Sequence, residues 1–298
     1  MTATALLRAA GPAVLALLAA WAFDRLTARR GLTPPGFAQP WRRGLALLAI
    51  AGVLWAGVFS PLGEIGKGAH FDFAHLGPWR LFLLHELMAG AILVWFFAGF
   101  AGVRRPRPPE LPEAPAAPQA PTPPRRVALG RQLALQLGLA TPAPGREAGL
   151  GLLLGIGAWM AVIVAVAIVA LTLYALGAKG ALPKQPPELI PWLAGLPFAA
   201  RLLLALSAGV VEESFFRGLL QPRMGIALST GMFILAHTAY GQPFLLLGVG
   251  ILSIIYALLV RWRQNILPAI AAHALFDGVQ LLVIIPTVLK MTGGHLPT

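Results

Sequence analysis

The last third of the sequence places six ionisable side chains within apolar stretches: Glu212, Glu213, Arg217, His237, His273 and Asp277. Carboxylates and imidazoles are common general acids and bases, because both can exchange a proton near neutral pH in a suitable environment. Near the centre of a bilayer, an ionisable group costs about 2.5–3.5 kcal/mol on insertion scales and therefore needs partners. These residue types indicate either a site of proton chemistry or a polar network that joins helices.

The spacing of these residues groups them by helix face. Residues at i and i+4 share one face of an α-helix, and three such pairs occur: Phe233 with His237, Glu213 with Arg217, and His273 with Asp277. Because Glu213 and not Glu212 lies four residues before Arg217, we expect Glu213 to form the ion pair. We then expect Glu212 to face the histidines, where a medium of low dielectric constant suits a general base.

The composition is that of a membrane protein. The 298 residues are 57% hydrophobic and 11% charged, with a mean hydropathy of +0.75. The net charge of +12 comes mainly from Lys and Arg in short segments between apolar runs, which argues against nucleic-acid binding. Because the chain contains no Cys, it has neither a disulfide framework nor a cysteine nucleophile.

Eight apolar runs predict an all-α, polytopic membrane fold with about eight transmembrane helices. We expect three regions: an N-terminal three-span region (1–103), a Pro-rich basic cytoplasmic linker (104–146) and a five-span core (147–298). Within the linker, 127–139 predicts a short amphipathic helix. The predicted spans are 6–23, 44–61, 81–103, 147–176, 198–221, 224–240, 243–260 and 265–290.

The distribution of basic residues predicts the topology. Fifteen Lys and Arg lie in the segments assigned to the cytoplasm and six on the opposite side, which places both termini outside by the positive-inside rule. At a rise of 1.5 Å per residue, Glu212, His237, His273 and Asp277 lie about 14–19 Å from the cytoplasmic helix ends. We therefore expect three antiparallel helices to bring these side chains to one level.

The motif set Glu212-Glu213-x-x-x-Arg217, Phe233-x-x-x-His237 and His273-x-x-x-Asp277 resembles that of the CAAX-protease and bacteriocin-processing family, also called the Abi family. The resemblance covers about 198–285. It implies a glutamate-type intramembrane endopeptidase in a conical helical bundle, acting on a membrane-anchored protein or peptide. A bacterial cytoplasmic (inner) membrane is the expected location.

The resemblance also implies residue roles. Glu212 and His237 activate water, His273 and Asp277 form the oxyanion side, and Glu213, Arg217 and Phe233 support the site. CAAX endoproteases usually carry Asn at the position of Asp277, and an ionised Asp repels an oxyanion. Asp277 must therefore be protonated, orient His273 or bind a positive group.

Several alternatives stay open at this point. No cofactor is expected, but Glu212, His237 and His273 form an alternative zinc ligand set. A catalytically silent membrane scaffold with the same fold is a second function, and a transporter a third. His85 and Glu86 on the third span are expected to pack against the bundle or near a water-filled cavity. His70, Asp72 and His75 are expected to be solvated loop residues.

Overall fold

The computed structural model describes residues 3–62, 82–102, 129–178, 189–238 and 243–291, and within these ranges the chain is helical without strands. The predicted loop residues His70, Asp72 and His75 and most of the Pro-rich linker lie outside the described residues. The described helices are α1 (Ala3–Arg29), α2 (Pro40–Leu62), α3 (Leu83–Phe100), α4 (Leu129–Gln136), α5 (Pro144–Ala175), α6 (Leu189–Gly195), α7 (Phe198–Met224), α8 (Ile226–Ala236), α9 (Pro243–Arg263) and α10 (Leu267–Met291).

The all-α polytopic membrane fold is confirmed, and a helix occurs at each of the eight predicted positions. The predicted count of about eight spans exceeds the five or six that the described helices support, and α1 is not among these. In the described ranges, five helices (α2, α3, α5, α9 and α10) are long and apolar enough to cross a membrane. A sixth span results if α6 and α7 count together, although they meet at a bend of 118°. At 11 residues, α8 is shorter than the predicted span 224–240. Such a helix covers about half of the hydrocarbon thickness.

The helix α7 departs from regular α-helical geometry where it carries the ionisable residues. Ala208–Leu220 is a π-helix of 13 residues and includes Glu212, Glu213 and Arg217. Hydrogen bonds between residues five apart widen the helix and change which side chains share a face, and such segments are frequent at functional sites. Local geometry here therefore differs from the 3.6-residue period assumed from the sequence.

Small residues let α10 approach α5 and α7 closely. A Cβ atom added at Gly151 would lie 2.3 Å from the carbonyl oxygen of Pro268, and one at Gly155 would lie 2.9 Å from Cα of Ala272. On α7, a Cβ atom at Gly209 would lie 2.8 Å from the carbonyl oxygen of Ile270. Gly151 and Gly155 have the GxxxG spacing that favours close helix packing, and their contact with α10 fixes the backbone next to His273.

The N-terminal helices share a hydrophobic core with α7. Buried side chains of α1, α2 and α3 form one cluster with Phe215, Phe216, Leu219 and Leu220 of α7. Trp95 of α3 makes edge-to-face contacts with Phe23 of α1, at 5.0 Å between ring centroids, and with Phe37, at 4.6 Å. Because these contacts tie α3 to the remainder of the bundle, they also fix the position of His85.

The end of the predicted linker is an ordered part of the core. The predicted amphipathic helix is present as α4, and Leu137 immediately after it is buried. The backbone N–H of Ile266 donates to the carbonyl of Gly138 at 2.9 Å. Farther along, Arg263 at the end of α9 pairs with Glu147, with 2.9 Å between Nε and Oε2. Residues 137–147 therefore hold the loop between α9 and α10 in place.

The close approach of α5 and α10 predicts a difference between two glycines of α5. Gly151→Ala should destabilise the fold by about 1–3 kcal/mol, because the added methyl group meets backbone atoms of α10. Gly157→Ala is the matched control, since no atom lies within 4 Å of its added Cβ. Thermal unfolding in detergent measures both variants. Equal melting temperatures for the two would contradict the assigned packing.

Candidate active site

The predicted site residues surround one cavity of about 550 Å³. Glu212, His237, His273 and Asp277 all line it, together with His85, and the remaining walls are mainly apolar. Side chains from α2, α3, α5, α6, α7, α8, α9 and α10 contribute to the lining. The site is therefore assembled from both halves of the described chain.

Glu213 is the buried centre of the charged network. Its side chain is fully buried, and its Oε1 lies 3.1 Å from Nη1 of Arg217, which is the predicted ion pair. Nδ1 of His273 lies 2.8 Å from the same oxygen. Arg217 also donates from Nη2 to Oγ of Ser253 at 3.0 Å. A buried ion pair of this kind holds its geometry through additional hydrogen bonds.

The contact with Glu213 sets the orientation of His273. If Nδ1–H donates to the carboxylate, Nε2 is the nitrogen that faces the cavity. Nε2 lies 3.6 Å from Oδ2 of Asp277. Asp277 is one turn after His273 on α10, and the two residues form the predicted i, i+4 pair. The ring also stacks on Tyr256, with 5.5 Å between centroids. The position of the imidazole is therefore restricted by Glu213 at Nδ1, by Asp277 near Nε2 and by Tyr256 against the ring.

Phe233 links Arg217 to His237. Its ring lies under the Arg217 guanidinium, with 4.1 Å from Cζ to the centroid, and lies 4.5 Å from the His237 ring. His237 is the first residue after α8, and its Nδ1 lies 2.8 Å from the Phe233 carbonyl oxygen. Because that oxygen can only accept, Nδ1 carries the proton, and Nε2 is directed toward Glu212.

Glu212 contacts two imidazoles, and one of them was not predicted. Oε2 lies 3.9 Å from Nε2 of His237, whereas Oε1 lies 3.2 Å from Nε2 of His85. Among the described residues, Oε2 is buried and has no hydrogen-bond partner. His273 lines the same cavity as Glu212, and its closest polar contacts are with Glu213 and Asp277.

The alternative zinc site needs Glu212, His237 and His273 around one point. In the ranges that the structure describes, no group of three His, Cys, Asp or Glu side chains has an arrangement suited to a metal ion. Nδ1 of His273 is directed at Glu213 and Nδ1 of His237 at a backbone carbonyl, so each ring has only Nε2 on the cavity side. Metal-bound histidines commonly make such Nδ1 contacts, so zinc dependence is a question for a chelation experiment.

His85 is the site residue that sequence spacing did not assign. It lies 127 residues before its partner Glu212, so no helical period connects them. A signal was nevertheless present, because His85 is a titratable residue in an apolar helix, and such residues are functional candidates by default. Its position next to Glu212 depends on the packing of α3 against α7.

An all-helical membrane protein with carboxylates and imidazoles around an apolar cavity has the features of an intramembrane enzyme. Residues 194–279 match the family model described as Rce1-like, type II CAAX prenyl endopeptidase. The match over this segment is consistent with the CAAX-protease resemblance and supports a peptide hydrolase. The match contains Glu212, His237, His273 and Asp277, whereas His85 lies outside it. No curated protein and no solved structure matches the chain significantly.

The buried network predicts that Arg217 is required for stability. Arg217→Met should destabilise the protein by about 3–5 kcal/mol, because it leaves the Glu213 charge buried without its cationic partner. The control is Arg261→Met on the exposed surface of α9, which should change stability by less than about 0.5 kcal/mol. Thermal or chemical unfolding in detergent gives the values. A stable Arg217→Met variant would show that the ion pair does not hold the site together.

Proposed function

We propose that the protein is an intramembrane endopeptidase of the glutamate type, in which Glu212 and His237 activate the attacking water. The observation that carries this proposal is the pair Glu212 Oε2 and His237 Nε2, 3.9 Å apart in an apolar cavity. This separation is too long for a direct hydrogen bond and suits one bridging water molecule. The family match supports the general class, a membrane-embedded peptide hydrolase.

The geometry supports different roles for Glu212 and His237 in activating the water. With its proton on Nδ1, neutral His237 accepts one hydrogen bond from the water at Nε2. Glu212 Oε2 accepts the other proton as the water oxygen attacks the peptide carbonyl, and no covalent enzyme intermediate forms. The proton then passes from Glu212 to the leaving amine as the C–N bond breaks. The hydroxyl oxygen remains on the new carboxyl group.

His273 and Asp277 serve the opposite side of the proposed reaction. Glu213 accepts a hydrogen bond from Nδ1–H of His273, and a doubly protonated His273 also presents Nε2–H, which stabilises charge on the substrate carbonyl oxygen. Asp277 lies 3.6 Å from this nitrogen and orients the ring from the cavity side. This role avoids placing an ionised Asp277 directly on the oxyanion.

The cavity walls and the sequence support a proposal for the substrate class and for the location of the protein. Apolar walls suit a membrane-anchored protein or peptide substrate within the lipid bilayer, and we expect no nucleic-acid partner, because Lys and Arg lie mainly in segments between apolar runs. We place the protein in a bacterial cytoplasmic (inner) membrane with both termini outside, as the Lys and Arg distribution supports. In this proposal 147–298 carries the protease core, with 1–103 and 104–146 as the N-terminal region and the linker.

Replacing the proposed base is the direct test. Glu212→Gln should lower kcat by about 10²–10⁴-fold, because the amide cannot take the proton. Glu86→Gln makes the same chemical change at an exposed position of α3 and should retain activity. The substrate is found by comparing membrane-protein termini by mass spectrometry in cells that express each variant, and kcat is then measured in proteoliposomes. Wild-type cleavage by Glu212→Gln would overturn the mechanism and favour a scaffold role.

A second test separates water activation by side chains from zinc catalysis. Activity should survive exhaustive treatment with EDTA and 1,10-phenanthroline, since the proposed base is Glu212 with His237. A zinc protease exposed to the same chelators is the assay control. Loss of cleavage on chelation, with recovery on adding Zn²⁺, would establish the metal-dependent alternative.

A further inference from the structure

The imidazole of His85 connects two residues of α7. Its Nδ1 lies 2.9 Å from Oγ of Ser207, and its Nε2 lies 3.2 Å from Oε1 of Glu212. The residue is 8% exposed and lines the cavity. A single ring on α3 therefore spans five residues of the helix that carries the proposed base.

The π-helix explains how one ring reaches both partners. Residues five apart lie about 140° from each other around a regular α-helix, which would direct Ser207 and Glu212 to different sides. The π-helical segment begins at Ala208, immediately after Ser207, and includes Glu212. Because π-helical hydrogen bonds join residues five apart, the segment brings such positions onto one side.

The available protons determine what His85 does to Glu212. Ser207 has one hydroxyl hydrogen and two neighbours that can accept it, the Leu204 carbonyl at 3.1 Å and His85 Nδ1. If Ser207 donates to His85 Nδ1, the neutral ring donates from Nε2–H to Glu212 Oε1. If Ser207 donates to Leu204, Nδ1–H donates to Ser207, and a doubly protonated ring then donates from Nε2–H to Oε1.

Both arrangements leave the same oxygen for catalysis. A proton lies between His85 Nε2 and Glu212 Oε1 in each, so that Oε1 is engaged by His85. The other oxygen, Oε2, lies 3.9 Å from His237 and has no hydrogen-bond partner among the described residues. A carboxylate held by one oxygen keeps the direction of the other, which is the usual effect of a supporting hydrogen bond on a reactive group.

We propose that His85, anchored by Ser207, is a positioning residue that holds Oε1 of Glu212 and thereby directs Oε2 at the attacking water. This proposal rests on the proposed function, and it extends the site to α3, outside the segment that matches the family model. His85 acts through Glu212 and does not contact the reacting atoms. The expected consequence of its loss is a lower kcat with little change in KM.

Variants at His85 test the proposal. His85→Ala should lower kcat by roughly 10–100-fold with KM changed less than about twofold, as for other supporting hydrogen bonds. His85→Gln should restore most of the activity, since its amide N–H can donate to Oε1 without an imidazole. The control Ile92→Ala removes a buried side chain from the same helix and should retain wild-type kcat per folded molecule. Unfolding temperatures in detergent give the folded fraction of each variant.

Ser207 supplies a second test that does not depend on the folding of His85→Ala. Ser207→Ala should lower kcat by about 2–10-fold in the wild-type background, the effect of one net hydrogen bond. In the His85→Gln background it should have no further effect, because the glutamine does not need Ser207 as an anchor.

Each other outcome contradicts the proposal. Wild-type kcat in His85→Ala would show that Glu212 needs no support from α3. A change in KM alone would make His85 a substrate contact, and failure of His85→Gln to restore activity would make the ring itself essential. Equal effects of Ser207→Ala in both backgrounds would remove Ser207 as the anchor. The proposed function fails separately, if Glu212→Gln remains active or if chelation abolishes cleavage.

Discussion

The charged network centred on Glu213 is the constraint on which the remainder of the site depends. One fully buried carboxylate oxygen contacts both Arg217 on its own helix and His273 on α10. Removing either partner would leave charge in an environment of low dielectric constant, where an unpaired ion is strongly destabilising. The network therefore fixes the relation between α7 and α10. Through Arg217 and Phe233, it also reaches His237 after α8.

The adjacent residues Glu212 and Glu213 consequently have different roles in the proposed enzyme. Oε1 of Glu213 contacts both Arg217 and His273, and Glu213 is not among the residues that line the cavity. Glu212 faces the cavity instead, with one oxygen on His85 and the other near His237. The two carboxylates differ in their surroundings: Glu213 has a structural role, whereas Glu212 is the proposed general base. Different surroundings commonly give two acids of one site different roles.

Close helix approach supplies the precision that this arrangement requires. Gly151, Gly155 and Gly209 lack side chains where α10 passes, and any added Cβ atom would meet α10 backbone atoms. The N-terminal helices contribute from the other side, because their core joins that of α7 and holds α3 beside the cavity. The position of the Glu212 carboxylate thus depends on packing contacts far from it in sequence.

The sequence by itself determined the helical membrane fold, the pairing of Glu213 with Arg217, the shared helix face of Phe233 and His237 and the close packing that the GxxxG spacing of Gly151 and Gly155 favours. These follow from apolar length and i, i+4 spacing, which are local properties of a helix. Only the tertiary structure decided that His273 contacts Glu213, that His85 contacts Glu212 and that residues 137–147 pack into the core. Such contacts join segments as far apart as Gly138 and Ile266. The π-helix between Ala208 and Leu220 also shifts side-chain directions away from the α-helical period, so spacing alone could not place these partners.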